Sequence, residues 1–518
     1  MDPQALGLSR LLRVAEMYFK GSTTTSTVPA RIEPRQEGTE IQGNSGQRFE
    51  GDILLTSEQM TEIIRSAEVD VERQSGPQVV PPLQRTKRNV VKDPVRRWRS
   101  PISYIIDDAD EEAVLRGIQS WEKNTCVRFR RQQRSDVTGD YLDFYRGRGC
   151  YSYVGRIGGR QRISIGRGCE VLGIVEHEIA HALGFWHEQS RPDRDDHVVV
   201  EAGNVFPGLL HNFLKRSAQS VLLFGTPYDY GSVMHYGPKF FAIDRSKYTL
   251  RTKDPNLQHT IGNRYEVSFY DVKTMNEMYC ADTCPIQLDC LNSGYTDPND
   301  CYRCKCPEGL TGTLCSDPID AGHDCGRLVR GAAREWQAIT GCRPSRQEIT
   351  KCYWLIRAPR GSRIEIRVTS LLFRRRTSCR DDYIEIKTSS DFGNTGPKYD
   401  RLVDDAGRTG MPMLPFRLCH DPPADSFFSE TRQAMVLFRS SGGNFFLQYR
   451  IAEKTDCVLS EWSEFSECSH NCGTGKKTRT REVLEQPLNG GLACGPLQDE
   501  MACNEHPCPP ACYGTVGA

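Results

Sequence analysis

The stretch His177-Glu178-Ile179-Ala180-His181-Ala182-Leu183-Gly184-Phe185-Trp186-His187-Glu188 decides how this chain is read. Two histidines four apart on a helix share one face and can share one ion. Glu178 stands beside the first, on the open side of such a centre. Gly184 lets the chain leave the helix with positive φ and turn back, so His187 arrives as a third nitrogen ligand. Three protein ligands with room for water describe a catalytic zinc site rather than a closed structural one. The bland alternative, three chance histidines on an amphipathic helix, leaves Glu178 and Gly184 unexplained.

Working outward, the chain has 518 residues, enough for about three or four domains. Lys plus Arg is 67 and Asp plus Glu is 67, which argues against a polyanion-binding mode driven by net charge, and so against a nucleic-acid binder. No run approaches the roughly 18 apolar residues of a membrane span. Of 22 cysteines none precedes Cys126, and 15 fall within 284–342 and 457–512. Such density implies disulfides made in an oxidising compartment, hence secretion. The start MDPQALGLSRLLRVAEMYFK lacks the apolar core of a secretory signal. The expectation is a missing first exon rather than unconventional export.

Residues 1–88 are rich in Gly, Ser, Thr, Gln and Glu and read as a partly disordered propeptide. It carries an apolar-acidic island, Phe49-Glu50-Gly51-Asp52-Ile53, and ends at a dibasic Arg85-Thr86-Lys87-Arg88 of the furin type. Residues 89–281 form the longest cysteine-poor block. Ile102–Ile106, 141–144 and 163–165 alternate like strands, 113–124 has apolar residues at helical spacing, and 171–183 reads as a helix stopped by Gly184. Six cysteines follow in residues 284–315, for which spacing alone permits 15 pairings. Residues 325–453 hold short alternating strands that suggest a β-sandwich.

The helix-and-turn motif, with Ser232-Val233-Met234-His235-Tyr236 further on, carries the metzincin signature HExxHxxGxxH plus a methionine floor. Phe185-Trp186, His187-Glu188, Ser190 to Asp195 and Ile261-Gly262-Asn263-Arg264 narrow the resemblance to the astacin family over 89–281. Residues 282–316 resemble an EGF-like module, 325–453 a CUB domain and 456–508 a thrombospondin type 1 repeat, with 509–518 a tail. The expected fold is therefore multidomain: an α+β metzincin catalytic domain, a small disulfide-rich EGF-like module, an all-β CUB sandwich and the repeat.

The resemblance implies roles position by position. One Zn²⁺ is held by His177, His181 and His187. Glu178 activates the attacking water and passes its proton to the leaving amine. Tyr236 is an additional zinc ligand that swings away to bind the oxyanion, and Met234 floors the site. Asp52, in Phe-x-Gly-Asp, occupies the zinc in the zymogen. After a furin-like protease cuts between Arg88 and Asn89, the new amino group is buried against Glu188. Arg264 lines the S1′ pocket and favours an acidic residue there; the competing reading is a surface arginine. Family pairings are Cys126–Cys280, Cys150–Cys169, Cys284–Cys301, Cys290–Cys304, Cys306–Cys315, Cys325–Cys352, Cys379–Cys419, Cys457–Cys494, Cys468–Cys503 and Cys472–Cys508. Cys342 is surplus, and Cys512 is left to pair with it or with another chain. In the repeat, Arg side chains stack on Trp462, and Phe465 in place of a second Trp is expected to shorten that ladder.

The module order resembles nematode astacins of cuticle collagen maturation. It implies a secreted endopeptidase acting on matrix protein, first of all procollagen at its C-terminal propeptide. The alternatives are an eggshell-digesting hatching protease or an adhesion protein with a vestigial protease. Residues 325–380 contain 14 Lys or Arg against 3 Asp or Glu, which suggests a face for matrix glycan or simply a solvated surface.

Overall fold

The computed structural model describes residues 3–19, 48–75, 90–222, 224–320, 322, 325–341, 349–373, 382–399, 426–440, 442–471, 473–489 and 491–504. Arg88, Asn89, Cys342, Cys379, Cys419, Cys472, Cys508 and Cys512 lie outside these residues, and with them the cleavage site and two expected disulfides.

The N-terminal segment carries, among its described residues, α1 (Pro3–Tyr18), β1 (Ile53–Leu54) and α2 (Ser57–Ser75). A capping box starts α2: Thr56 N–H donates to Gln59 Oε1 at 3.0 Å and Gln59 N–H to Thr56 Oγ1 at 3.3 Å. Its buried stripe, Ile63, Ile64 and Ala67, shares an apolar cluster with Leu11, Val14 and Ala15 of α1 and with Leu210, Phe213 and Leu214 of the following domain. Most of the stability of two amphipathic helices of this kind comes from burying one face, here against each other and the larger domain.

That domain begins with β2 (Val90–Val91) and continues through β3 (Ile102–Ile106), α3 (Glu111–Asn124), β4 (Phe129–Arg131), β5 (Tyr141–Tyr145), β6 (Cys150–Tyr153), β7 (Arg160–Ile165) and α4 (Leu172–Leu183). Later come β8 (Val198–Val200), β9 (Val221–Leu222, paired with β2), β10 (Leu250–Thr252, paired with β8) and α5 (Phe269–Tyr279). The main sheet runs β1-β6-β7-β5-β3-β4. Its strands are parallel except that β6 runs against β7. The N-terminal segment thus adds its own strand to the sheet edge, Ile53 beside Ser152. Asp110 caps α3 by accepting from Ala113 N–H, and Glu111 and Glu112 complement the positive helix end. α3 lies tight on α4, because a Cβ on Gly117 would stand 2.6 Å from Val175 Cγ1. Trp121 fills that junction and donates its indole N–H to the Glu176 carbonyl at 3.1 Å.

The downstream modules follow the expected strands. A hairpin, Tyr295–Asp297 with Asp300–Lys305, is stapled by Cys284–Cys301, Cys290–Cys304 and Cys306–Cys315. The sandwich has a five-stranded sheet (326–330, 350–357, 433–440, 383–387, 398–399) facing a four-stranded one (337–340, 444–451, 364–372, 427–428). Trp354, Ile384, Phe438 and Leu447 are in its core, and Cys325–Cys352 ties its first strands. Asp391 of the sandwich accepts from Tyr270 Oη on α5 at 2.6 Å and from Ser293 Oγ of the EGF-like module at 2.5 Å. In the last module Cys457–Cys494 and Cys468–Cys503 form. Here the shortened ladder is corrected. Arg481 lies over Trp462 at 4.2 Å, Arg479 between Trp462 (5.0 Å) and Phe465 (4.7 Å), and Lys477 over Phe465 at 4.9 Å. Phe465 serves as a full rung because a cation needs only the ring face. Among the described residues no helix is long and apolar enough to cross a membrane.

Candidate active site

α4 is buried almost all round, which holds His177, Glu178 and His181 in one orientation. Its end is a Schellman motif: Phe185 N–H donates to Ala180 O at 3.0 Å and Gly184 N–H to His181 O at 2.8 Å, with Gly184 at φ 115°. Glycine is required twice over here, because a Cβ would also meet Val91 Cγ2 at 2.7 Å. The chain reverses and delivers His187, whose ring lies 4.7 Å from that of His181 and 5.2 Å from that of His177.

Asp52 completes the cluster from the N-terminal segment. Its Oδ2 is 3.1 Å from His177 Nε2 and 3.2 Å from His187 Nε2, and its Oδ1 is 3.7 Å from His181 Nε2. One ligand atom from each of the four residues lies within 4.8 Å of the others, and all four side chains are buried. His181 Nε2 and Asp52 Oδ1 have no hydrogen-bond partner in this arrangement, an expensive state that a divalent ion at the centre relieves. The opposite ring nitrogens are all engaged. His177 Nδ1 donates to Val233 O at 2.8 Å, His181 Nδ1 to Phe185 O at 2.8 Å and His187 Nδ1 to Glu50 Oε2 at 2.6 Å. Each Nε2 is thereby turned inward as a lone-pair donor, the pattern of zinc-binding imidazoles. Burial and the neighbouring His181 push His177 down to about 3, so it stays the neutral ligand a metal needs. Burial opposes charge on His187 as well, but Asp52 and Glu50 outweigh it and raise that group to about 9, so a bound metal would take the place of the proton on its Nε2. The site therefore concentrates negative potential where a cation would sit.

The turn beneath the site is braced from two sides. Met234 is buried, and its carbonyl accepts from Glu188 N–H at 3.0 Å. Asp271 on α5 accepts from Ser232 Oγ at 2.6 Å and from Val233 N–H at 2.8 Å. Arg264 is at the same turn, with Nη1 donating to the carbonyls of Val233, His235 and Asn263 at 2.8–2.9 Å. His235 is structural: Tyr228 Oη lies 2.6 Å from its Nε2, and its Nδ1 lies 2.8 Å from Tyr236 O. Tyr236 stacks on Phe240 and its hydroxyl donates to the Glu50 carbonyl at 2.5 Å. Glu188 is partly buried, accepts from Asp229 N–H at 2.9 Å and from Arg191 Nη1 at 3.1 Å, and is raised to about 7 by desolvation. It borders a small cavity that Val90, Trp186 and Thr226 also line, next to where the chain resumes after Asn89. Cys126–Cys280 and Cys150–Cys169 close the domain.

Sequence reasoning passed over three residues. Asp271 was legible as the N3 residue of a Ser268-x-x-Asp271 capping box, but its second task, holding a turn 38 residues earlier, leaves no local signal. Glu50 and Asn212, joined by the Glu50 N–H at 2.7 Å from Asn212 Oδ1, carry no spacing signal at all.

Residues 90–280 match the family model of the astacin peptidases, 325–396 match "CUB domain", and 457–508 match "Spondin-like TSP1 domain". The zinc metalloproteinase nas-36 of Caenorhabditis briggsae is 35% identical over 509 residues, covering 92% of this chain and 77% of that protein. The zinc metalloproteinase dpy-31 of Brugia malayi is 37% identical over 427 residues, covering 79% of this chain and 66% of that protein. Among solved structures, the medaka (Oryzias latipes) hatching enzyme high choriolytic enzyme 1 is 34% identical, covers 37% of this chain and 98% of its own, and gives a TM-score of 0.34. A buried three-histidine centre in a domain so matched leaves one assignment: the chain belongs to the astacin family, and it is a zinc metalloendopeptidase with CUB and thrombospondin type 1 modules.

Proposed function

We propose that the chain is a secreted zymogen whose first 88 residues plug the zinc site until cleavage after Arg88, and that its substrate is an extracellular matrix protein. The observation that carries the zymogen reading is the Asp52 carboxylate set among the three histidine Nε2 atoms. An acid in that position fills the place the attacking water needs. Cleavage after the dibasic site, by a furin-like protease, frees the segment. Glu188, beside the small cavity next to Val90, is suited to receive the new amino group of Asn89.

Zinc bound by His177, His181 and His187 supplies Lewis acidity and lowers the pKa of water toward about 7. The rest of the work belongs to the chain. Glu178 takes a proton from the attacking water and hands it to the leaving amine. Tyr236, once released from the Glu50 carbonyl, donates a hydrogen bond from its hydroxyl to the developing oxyanion. Arg264 shapes the pocket after the scissile bond. With Nη1 committed to the turn, its charge acts there through space and favours Asp or Glu over a neutral residue. The disulfide-rich modules and their basic stretch support an extracellular site of action and adhesion to matrix, including its anionic glycans.

A collagen C-propeptide is the substrate to test first. The processed protein is incubated with it and the new N-termini are sequenced. Cleavage at a single site with an acidic residue just after the cut supports the reading. An intact propeptide, with eggshell protein cut under the same conditions, turns the substrate assignment to the hatching role. A Glu178→Ala protein as active as wild type would reduce the chain to adhesion.

A further inference from the structure

We propose that Glu50 is the outer-sphere partner of the third zinc ligand, lent to the metal centre by the N-terminal segment and withdrawn with it. The inference rests on the zymogen reading above and deepens it. Each zinc-binding imidazole needs an acceptor behind it to fix its tautomer and strengthen its donor nitrogen. His177 and His181 find theirs in the backbone carbonyls of Val233 and Phe185, which remain with the protease after cleavage. His187 finds a carboxylate, Glu50 Oε2 at 2.6 Å, with both side chains fully buried. That acceptor belongs to the segment that leaves.

The backbone shows how Glu50 and Asp52 serve one centre from opposite sides. Glu50 is at φ 52° and Gly51 at φ 85°, so the chain turns sharply between the two acids. Asp52 then faces the Nε2 atoms while Glu50 stands behind His187. A left-handed glutamate is an unfavourable conformation that its surroundings must hold. Three contacts do so: its N–H donates to Asn212 Oδ1, its carbonyl accepts from Tyr236 Oη, and its carboxylate accepts from His187 Nδ1. All of the polar groups in this contact set point into the protease. Glu50 is a positioning residue, acting on the metal through His187. Removing such a partner costs about 10- to 100-fold in metal affinity. The uncleaved chain accordingly holds zinc more tightly than the processed one, and the N-terminal segment clamps the metal as well as covering it.

The test uses the full chain with Arg85, Lys87 and Arg88 replaced by alanine to prevent processing, loaded with one zinc. Zinc transfer to excess chromogenic chelator is timed for this parent and for Glu50→Gln and Glu50→Ala made in it. Glu50→Ala should release zinc about 10- to 100-fold faster. Glu50→Gln, which still accepts from Nδ1 but lacks the charge, should fall between. Hydrogen exchange at Ile53 and Leu54 reports whether β1 stays docked. The cobalt(II)-substituted Glu50→Gln chain should show a shifted visible absorption while that protection is unchanged. Release at the parental rate in both variants overturns the inference, as does faster release found only together with loss of β1 protection. A parent chain that binds no zinc refutes the zymogen reading instead.

Discussion

Replacing Asp52 with alanine in a chain that cannot be processed isolates the plug from every other part of activation. The side chain is 6% exposed, and its carboxylate reaches three imidazoles at 3.1–3.7 Å. Among the described residues Asp52 is the one group of the segment in the metal-ligand cluster, but much else holds the segment down. Ser152 N–H donates to the Asp52 backbone carbonyl at 3.0 Å, which alanine preserves, Gln59 Nε2 donates to Val154 O at 3.0 Å, and α1 and α2 remain packed on Leu210 and Phe213. The loss is therefore one charged contact, about 1.5–3 kcal/mol, which raises the fraction of open, competent molecules about 10- to 150-fold. With Arg85, Lys87 and Arg88 also replaced by alanine, the uncleaved Asp52→Ala chain should hydrolyse a quenched fluorescent peptide that much faster than its uncleaved parent. It should remain well below the processed enzyme. Equal rates for the two uncleaved chains, each carrying one zinc, would refute the plug.

Three further outcomes are expected. Glu178→Gln in processed protein should lower kcat by about 10²- to 10⁴-fold while metal analysis still returns one zinc per chain. Asp271→Ala strips the acceptor from Ser232 Oγ and Val233 N–H, and should cost about 3 kcal/mol, a drop of roughly 6–12 °C in the melting temperature of the catalytic domain by calorimetry. Phe465→Ala should remove a rung shared by Lys477 and Arg479 and destabilise the repeat by about 1–2 kcal/mol in urea unfolding, whereas Phe465→Trp should stabilise it.

What the residues disclosed in advance depended on how local the cause was. The two histidines of α4, its glycine stop and the returning His187 are written within eleven consecutive positions, so the metal centre could be read directly. The strands at 102–106 and 350–357 announce themselves by composition. α2 was overlooked although its capping box and its stripe of Ile63, Ile64 and Ala67 stand in the sequence; a polar, glycine-rich surrounding masked them. Glu50 was invisible for a different reason. Its meaning comes from His187, 137 positions away, and from a backbone conformation that a glutamate does not advertise. Phe465 misled because a family preference for tryptophan was taken as a requirement, when the physics asks only for an aromatic face.

Asp391 joins the protease through Tyr270, the EGF-like module through Ser293 and its own sandwich through Gly393 N–H at 2.9 Å. A side chain shared this way works as the stop on a carpenter's jig. It sets the sandwich at a fixed offset from the cutting edge, so the two cannot swivel about the hairpin between them without breaking hydrogen bonds that converge on one carboxylate.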